Sequence, residues 1–484
     1  MATRTGEAAA LQVGPAGELR HRLEAQRAAF MRETPDYRRR IDALNALRDG
    51  LRAREEELTR AVSADYGGRS REETLLLELF PLYDAIRHAK RHLKGWMAPR
   101  PVGSTWYLLP SRAYVVHQPL GLVGVIGAWN YQLLLTLGPL VDALAAGNHV
   151  MLKPSEITPR SADLIAEIIA DRFAADYVTA VTGGPEVASA FSSLPFDHLI
   201  FTGSTRVAFH VMRATSEHLT PVTLELGGKS PAIIHRDFPL ATAARRLMAG
   251  KLYHAGQTCV APDYVLLPEG LADEFERLAR DAVAELYPKL VDNPDYTRIV
   301  SHRHYQRLAA AAREAAEGSA RVVAINPAGE ACTADNKVFP PTLVFDPPSE
   351  AAVMCEEIFG PILPVVTYRA LDDAVAYVNA RPNPLALYYL DTSAARIDEV
   401  VRRTTSGGVL VNDVVVHLGQ SNLPFGGVGP SGIGYYHGIH GFQRFSHKKA
   451  VMIQSRWTAT SLFHPPYTAR GRRLIAHLLR LIAG

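Results

Sequence analysis

Between residues 122 and 225 the chain keeps changing the period of its hydrophobic residues, and this alternation constrains the fold more than any other feature. Short β-rich runs at 122–126, 149–153, 177–181, 198–201 and 222–225 alternate with helical stretches that end near 146 or begin at 160, 185 and 204. Strands joined through helices in this way lie parallel, with helices covering both faces of the sheet. The expected fold class is therefore α/β, a doubly wound, Rossmann-like parallel sheet. Ligands of such sheets gather at the carboxyl ends of the strands, where a dinucleotide is predicted to lie. Trp129 and Asn130 follow the first strand, Lys153, Ser155 and Glu156 the second, and Thr202, Gly203 and Ser204 the fourth.

Around that unit, apolar residues such as Leu23, Phe30, Leu44 and Leu58 recur at three- or four-residue steps over 18–65 and predict two amphipathic helices broken near Pro35. A third helix is predicted over 72–94, stopped by the prolines of 98–101 because proline cannot continue the ladder. Residues 107–118 read as extended strand on either side of Pro110, of a kind that serves subunit contact. A second α/β unit is expected over 226–417, with helices at 240–255, 269–286 and 303–317 and strands near 321–325, 342–345 and 363–368. The expected division is a cofactor-binding domain of 1–105 and 119–225, a catalytic domain of 226–417, and a small β arm with tail of 106–118 and 418–484. The chain finishes in RGRRLIAHLLRLIAG, a basic amphipathic helix. Such a helix can lie on a membrane surface, but packing against its own body or a partner subunit is the commoner use.

Composition excludes several classes. The 52 Lys and Arg against 49 Asp and Glu leave +3, with no basic excess to follow a nucleic-acid backbone. Cys259, Cys332 and Cys355 form no CxxC pair and no HExxH spacing occurs, so neither a disulfide framework nor a metal site is expected. There is no run of about 18 apolar residues and no leader pattern, so no integral membrane segment is expected and the compartment is read as cytoplasmic. Gly427, Gly429 and Gly432 satisfy GxGxxG, but Pro430 interrupts them and no βαβ unit follows, so they read as a loop.

Two residues stand out chemically. Cys259 sits in HAGQTCVAP; most free cysteines are inert core residues, and a catalytic one needs an activating neighbour, because an ordinary thiol is mostly protonated at neutral pH. Glu225, in LELGGKSP, ends a predicted buried strand, where a carboxylate is costly unless it has a task or a partner. Taken in order with GQTC at 256–259, EEIFGP at 356–361, KPSE at 153–156, FTGST at 201–205 and LPFGGVGPSG at 423–432, these motifs resemble the aldehyde dehydrogenase superfamily over about residues 40–460. KPSE and GPSGIGYYHG resemble its dimeric class-3 branch, and FDHLIFTGSTRV is similar to bacterial coniferyl aldehyde dehydrogenases.

The resemblance implies NAD(P)-dependent oxidation of a small aldehyde, aromatic and coniferyl-aldehyde-like, to the carboxylic acid. It makes Cys259 the nucleophile that forms a thiohemiacetal and then a thioester. Asn130 and the Cys259 backbone N–H become oxyanion donors, and Glu225 the base that activates the hydrolytic water. For the cofactor it implies Lys153 and Glu156 at the adenine ribose, favouring NAD with NADP possible, and Gly203 and Ser204 at the pyrophosphate. Glu357 and Phe359 would meet the nicotinamide ribose and ring, with Trp129, Ser155, Thr202, Leu226 and Gly227 completing the cofactor-binding set. A homodimer is implied, formed through the strand near Tyr114 and the C-terminal run.

Three departures from the family pattern bear on the site. Where PWNYP is usual, Ala128 and Gln132 flank Trp129, Asn130 and Tyr131, so two rigid prolines are lost. Ala208 replaces a helix glycine, and His254 replaces the asparagine before AGQTC. Two other readings stay open: a long-chain fatty aldehyde dehydrogenase, favoured by the amphipathic C-terminus, and a non-catalytic binding protein that keeps the fold. A CoA-acylating variant is disfavoured, because acylating members generally lack the glutamate found here as Glu225.

Overall fold

The computed structural model describes residues 14–458, 460 and 464–483. The alternation predicted over 122–225 becomes five parallel strands in the order Val222–Glu225, His198–Thr202, Leu122–Ile126, His149–Lys153, Val178–Ala180. The three central strands are buried along their whole length, as their unbroken apolar runs require. Local signals set the helix ends. Pro159 and Pro185 open helices Pro159–Arg172 and Pro185–Ser192 with their fixed φ, Ser204 caps helix Thr205–Ser216, and Gly147 (φ 90°) closes helix Leu134–Ala146. Register levels the strand ends: Ile126 lies opposite both Lys153 and Phe201, and Thr202 opposite Glu225.

A second sheet has seven strands, in the order Arg321–Ala324, Thr342–Phe345, Ile362–Tyr368, Tyr264–Pro268, Pro231–Ile234, Ala386–Leu390, Gly408–Val411. All are parallel except the first, an antiparallel edge. The third sheet is an antiparallel arm of Arg100–Val102, Arg112–Pro119 and Ser446–Ile453. The α/β class agrees with the sequence reading.

Several boundaries differ from expectation. The first 65 residues yield three described helices, Pro15–Arg32, Tyr37–Ala53 and Glu55–Tyr66, because Arg54 leaves helical geometry (φ −118°, ψ 19°). Residues 107–118 are not one strand: Trp106–Leu108 is a 3₁₀ turn and the strand starts at Arg112. The stretch assigned to the tail at 418–484 also contributes to the first sheet. Gly432–Ile433 pairs antiparallel with the Glu225 strand, Gly432 opposite Glu225, and helix Gly438–Arg444 packs against helices Phe80–Met97 and Leu134–Ala146. A Cβ on Gly432 would strike the Leu224 carbonyl, so glycine is what lets this edge close so tightly. His440 lies in helix Gly438–Arg444. Among the described residues no helix is long and apolar enough to cross a membrane, and no group of three potential metal ligands converges.

Candidate active site

Cys259 is delivered by a strained turn. Helix Leu240–Leu252 runs into the 3₁₀ turn Tyr253–Gly256, in which His254 (φ 55°), Ala255 (φ 50°) and Gly256 (φ 74°) are successively left-handed. A Cβ on Gly256 would collide with the Gly360 carbonyl. Non-glycine residues in this region persist only where the surroundings over-determine them. Here the His254 N–H donates to Glu73 Oε1 at 2.9 Å, while the Gln257 amide donates to the carbonyls of His254 (3.0 Å) and Arg298 (3.1 Å) and accepts from the Val300 N–H. The backbone two residues before the thiol is thus pinned on both sides.

The thiol sits in a low-dielectric, acidic setting. Burial pushes Cys259 up to about 12, and the carboxyls of Glu357 and Glu225 push the same way. Glu225 is 2% exposed and neither of its oxygens finds a protein partner. Burial holds this carboxyl well above the usual range, with only Arg444 opposing. Such an orphaned acid is expensive as structure and suited to exchanging protons with a small molecule. Glu357 is raised to about 8 by burial and by Asp263, against the Gly228 N–H, Lys229 and Arg307. Its loop is tied down by a buried ion pair: Lys229 binds Asp263 and the carbonyls of Val353 and Glu356, and Asp263 accepts from the Ile358 N–H.

The Asn130 amide is tied to the loop that carries Cys259. Its Nδ2 donates to the Gln257 carbonyl at 3.1 Å, and the neighbouring Tyr131 hydroxyl bonds Thr258 Oγ1 at 2.7 Å. The prolines missing around Asn130 are replaced by a buried polar network. The Tyr66 hydroxyl donates to the carbonyls of Trp129 (2.7 Å) and Asn130 (3.3 Å), which makes His254 Nε2 the donor to Tyr66 at 3.1 Å. Arg69 donates to the Asn130 carbonyl (3.3 Å) and to Gln132 Oε1, and pairs with Glu78 at 2.6 Å, both side chains fully buried. Glu78 in turn accepts the Leu133 and Leu134 N–H groups, and the Gln132 amide donates to Ser161. Two of the three departures, Gln132 and His254, are members of this network. The third, Ala208, is packed in the apolar cluster beneath helix Thr205–Ser216.

The cofactor candidates line the strand ends. Lys153 Nζ bonds Glu156 at 2.8 Å and the Pro154 carbonyl at 3.1 Å. The sequence taken alone suggests an exposed ion pair, but Lys153 is 1% exposed: its stem belongs to a central strand, and only the carboxylate reaches solvent. Ser155, Thr202 and Leu226 are buried, Leu226 being held by its N–H to the Ser431 carbonyl. Gly227 lies against the Glu357 carboxyl, and a Cβ there or on Gly203 would collide with Glu357 or Phe201. Trp129 meets Phe359 edge-on at 5.2 Å, with Phe359 held at φ 50°, so the two units touch through aromatic rings. A dinucleotide fits these residues. They offer glycines where backbone must approach closely, a capped helix N-terminus, an acid beside a lysine, and at Glu357 a buried oxygen without a partner.

Comparison with known proteins agrees with this geometry. The profile of the aldehyde dehydrogenase family matches residues 7–451. The chain belongs to the aldehyde dehydrogenase family. It is 48% identical to a probable coniferyl aldehyde dehydrogenase of Caulobacter vibrioides, over 94% of this chain and 95% of that one. The substrate-bound structure of Staphylococcus aureus AldH superimposes with a TM-score of 0.89 at 36% identity, covering 95% of this chain and 99% of that one. The Mycobacterium tuberculosis aldehyde dehydrogenase complexed with NAD+ gives 0.82 at 28% identity, covering 92% of each. Aldehyde oxidation with NAD(P) is thus the family's activity, as the motifs implied.

Sequence reasoning missed Tyr66, Arg69, Glu78, Lys229 and Asp263. One signal was available for Glu78: a carboxylate inside the apolar run LLLELF has to be buried or break the pattern.

Proposed function

We propose that this aldehyde dehydrogenase oxidises an aryl aldehyde of the coniferyl type to its acid, without transfer to CoA, using NAD in preference to NADP. The observation that carries the reading is a pinned Cys259 whose loop holds the tethered Asn130 amide, with the buried, unpartnered Glu225 carboxyl within electrostatic reach of the thiol. Cys259 gives its proton to solvent and its sulfur adds to the aldehyde carbon; the Asn130 Nδ2–H and the Cys259 backbone N–H hold the oxyanion. One missing donor of this kind costs about 10² to 10³ in rate. Lys153 and Glu156 would hold the adenine ribose of a dinucleotide, Gly203 and Ser204 its pyrophosphate, and Glu357, Phe359 and Trp129 the nicotinamide end, where it would supply a hydride acceptor. Glu225, once deprotonated, takes a proton from water as the water attacks the thioester and passes it to the departing Cys259 sulfur, so the acid leaves with Cys259 restored as thiol.

Support for the aryl substrate comes from the Caulobacter relative's name and for NAD from Glu156, whose carboxylate would repel a 2′-phosphate. A homodimer is part of the proposal, since the arm leaves Val102, Trp106, Leu109, Met452 and Ile453 exposed. Cys259→Ala is expected to fold and bind NAD yet form no NADH, while mass spectrometry of wild type quenched during turnover of coniferyl aldehyde with NAD shows an acyl adduct on Cys259. Turnover with no such adduct would refute the mechanism. The aryl proposal expects kcat/KM to be highest for coniferyl aldehyde among coniferyl aldehyde, benzaldehyde and decanal, and a preference for decanal would refute it.

A further inference from the structure

The C-terminal helix Ala469–Ala483 belongs to no sheet and not to the site, and none of its side chains is buried. Its sequence divides by face. At about 100° per residue, Leu474, Ile475, Leu478, Leu479, Leu481 and Ile482 fall on one half of the circumference, and Arg470, Arg472, Arg473, His477 and Arg480 on the other. Leu479, Leu481 and Ile482 are 62%, 64% and 65% exposed. No acidic residue occurs anywhere after Asp413, so nothing on this segment offsets the arginines. Trp457 and Tyr467, both exposed, precede the helix and are the residue types that settle at lipid headgroup level.

The charge pattern selects the occupant. A second copy of the segment would cover the Leu/Ile face but bring only more arginines, leaving the basic face without counter-charge. A nucleic acid would take the arginines and leave the Leu/Ile face in water. A surface that is anionic outside and apolar within satisfies both halves at once. Fifteen residues rise only about 22 Å, short of the roughly 30 Å of a bilayer core, so the helix has the length to lie along such a surface and not to cross it. We infer that this helix docks the enzyme on anionic phospholipid, its axis in the membrane plane, Leu and Ile among the acyl chains and Arg at the headgroups.

The test uses the full-length protein sedimented with vesicles of phosphatidylcholine, either pure or with one-third phosphatidylglycerol. The protein is expected to pellet with the anionic vesicles and to be released by high salt. Each arginine should contribute about fivefold, so R472Q/R473Q/R480Q weakens binding roughly a hundredfold. L478S/L481S/I482S should abolish it. Both variants keep wild-type turnover of a water-soluble aldehyde in vesicle-free buffer. Two results would overturn the inference. One is equal or absent sedimentation with the two vesicle types. The other is a change of oligomeric state in the Leu/Ile variant, seen by analytical ultracentrifugation, which would give the apolar face to a partner subunit.

Discussion

Tyr66→Phe tests how the Asn130 amide is held in place. The substitution keeps the ring contacts with Trp129 and His254 and removes a single fully buried oxygen. Two buried groups then lose the partner they have, the Trp129 carbonyl at 2.7 Å and the His254 Nε2–H at 3.1 Å. An unsatisfied buried group costs about 1–3 kcal/mol, so with some relaxation the variant should be about 2–4 kcal/mol less stable. The amide itself survives, because Arg69 still holds the Asn130 carbonyl and Nδ2 still bonds Gln257. A loosened donor should forfeit part of the 10² to 10³ of a deleted one, about tenfold in kcat. Stopped-flow NADH bursts at saturating NAD measure the rate, and urea unfolding measures the stability. In an Asn130→Ala background the same stability loss should recur with no further loss of rate, since the amide that Tyr66 positions is gone. Rate losses that multiply across the double mutant would refute the positioning role.

Further expectations concern protons. Glu225 must be ionised to act as base and burial raises its carboxyl well above the usual range, so kcat should rise with pH at values well above those at which an ordinary carboxylate ionises. Glu225→Gln should lose about 10² to 10³ in steady-state rate, yet retain a single-turnover burst as thioester accumulates; loss of the burst would move Glu225 to an earlier step. Asp142, buried in helix Leu134–Ala146 and bonded to the His437 N–H, is pushed up to about 8. A carboxyl raised in the folded state contributes stability fully below its unfolded pKa of about 4 and loses it as pH rises to about 8. The urea midpoint should therefore fall between those limits, and Asp142→Asn should flatten the fall; an unchanged slope would locate the pH dependence elsewhere.

The fold was legible because period is a local property: alternating runs at 122–225 dictated the parallel sheet and put Trp129, Lys153 and Gly203 at its strand ends. Cys259 and Glu225 were legible for a different reason, since a thiol and a carboxylate in buried motifs ask for a chemical explanation. What stayed hidden depends on partners far away in sequence. Tyr66 and Arg69 sit on or beside ordinary amphipathic helices, and nothing local says that their polar atoms reach the carbonyls around Asn130. Lys153 was misjudged as exposed because a strand end and a loop start look alike in one dimension. The edge strand at Gly432 is two residues long, below any periodic signal.

That short seam has a consequence for protein engineering. The polypeptide that closes the Glu225 strand at Gly432 continues through helix Gly438–Arg444 to Phe445, whose carbonyl takes the Asn148 amide, and then into the arm. A chimera that transplants the arm of a relative at any junction before Gly432 would also transplant the neighbour of Glu225. Swaps meant to change quaternary assembly alone should be cut after Phe445.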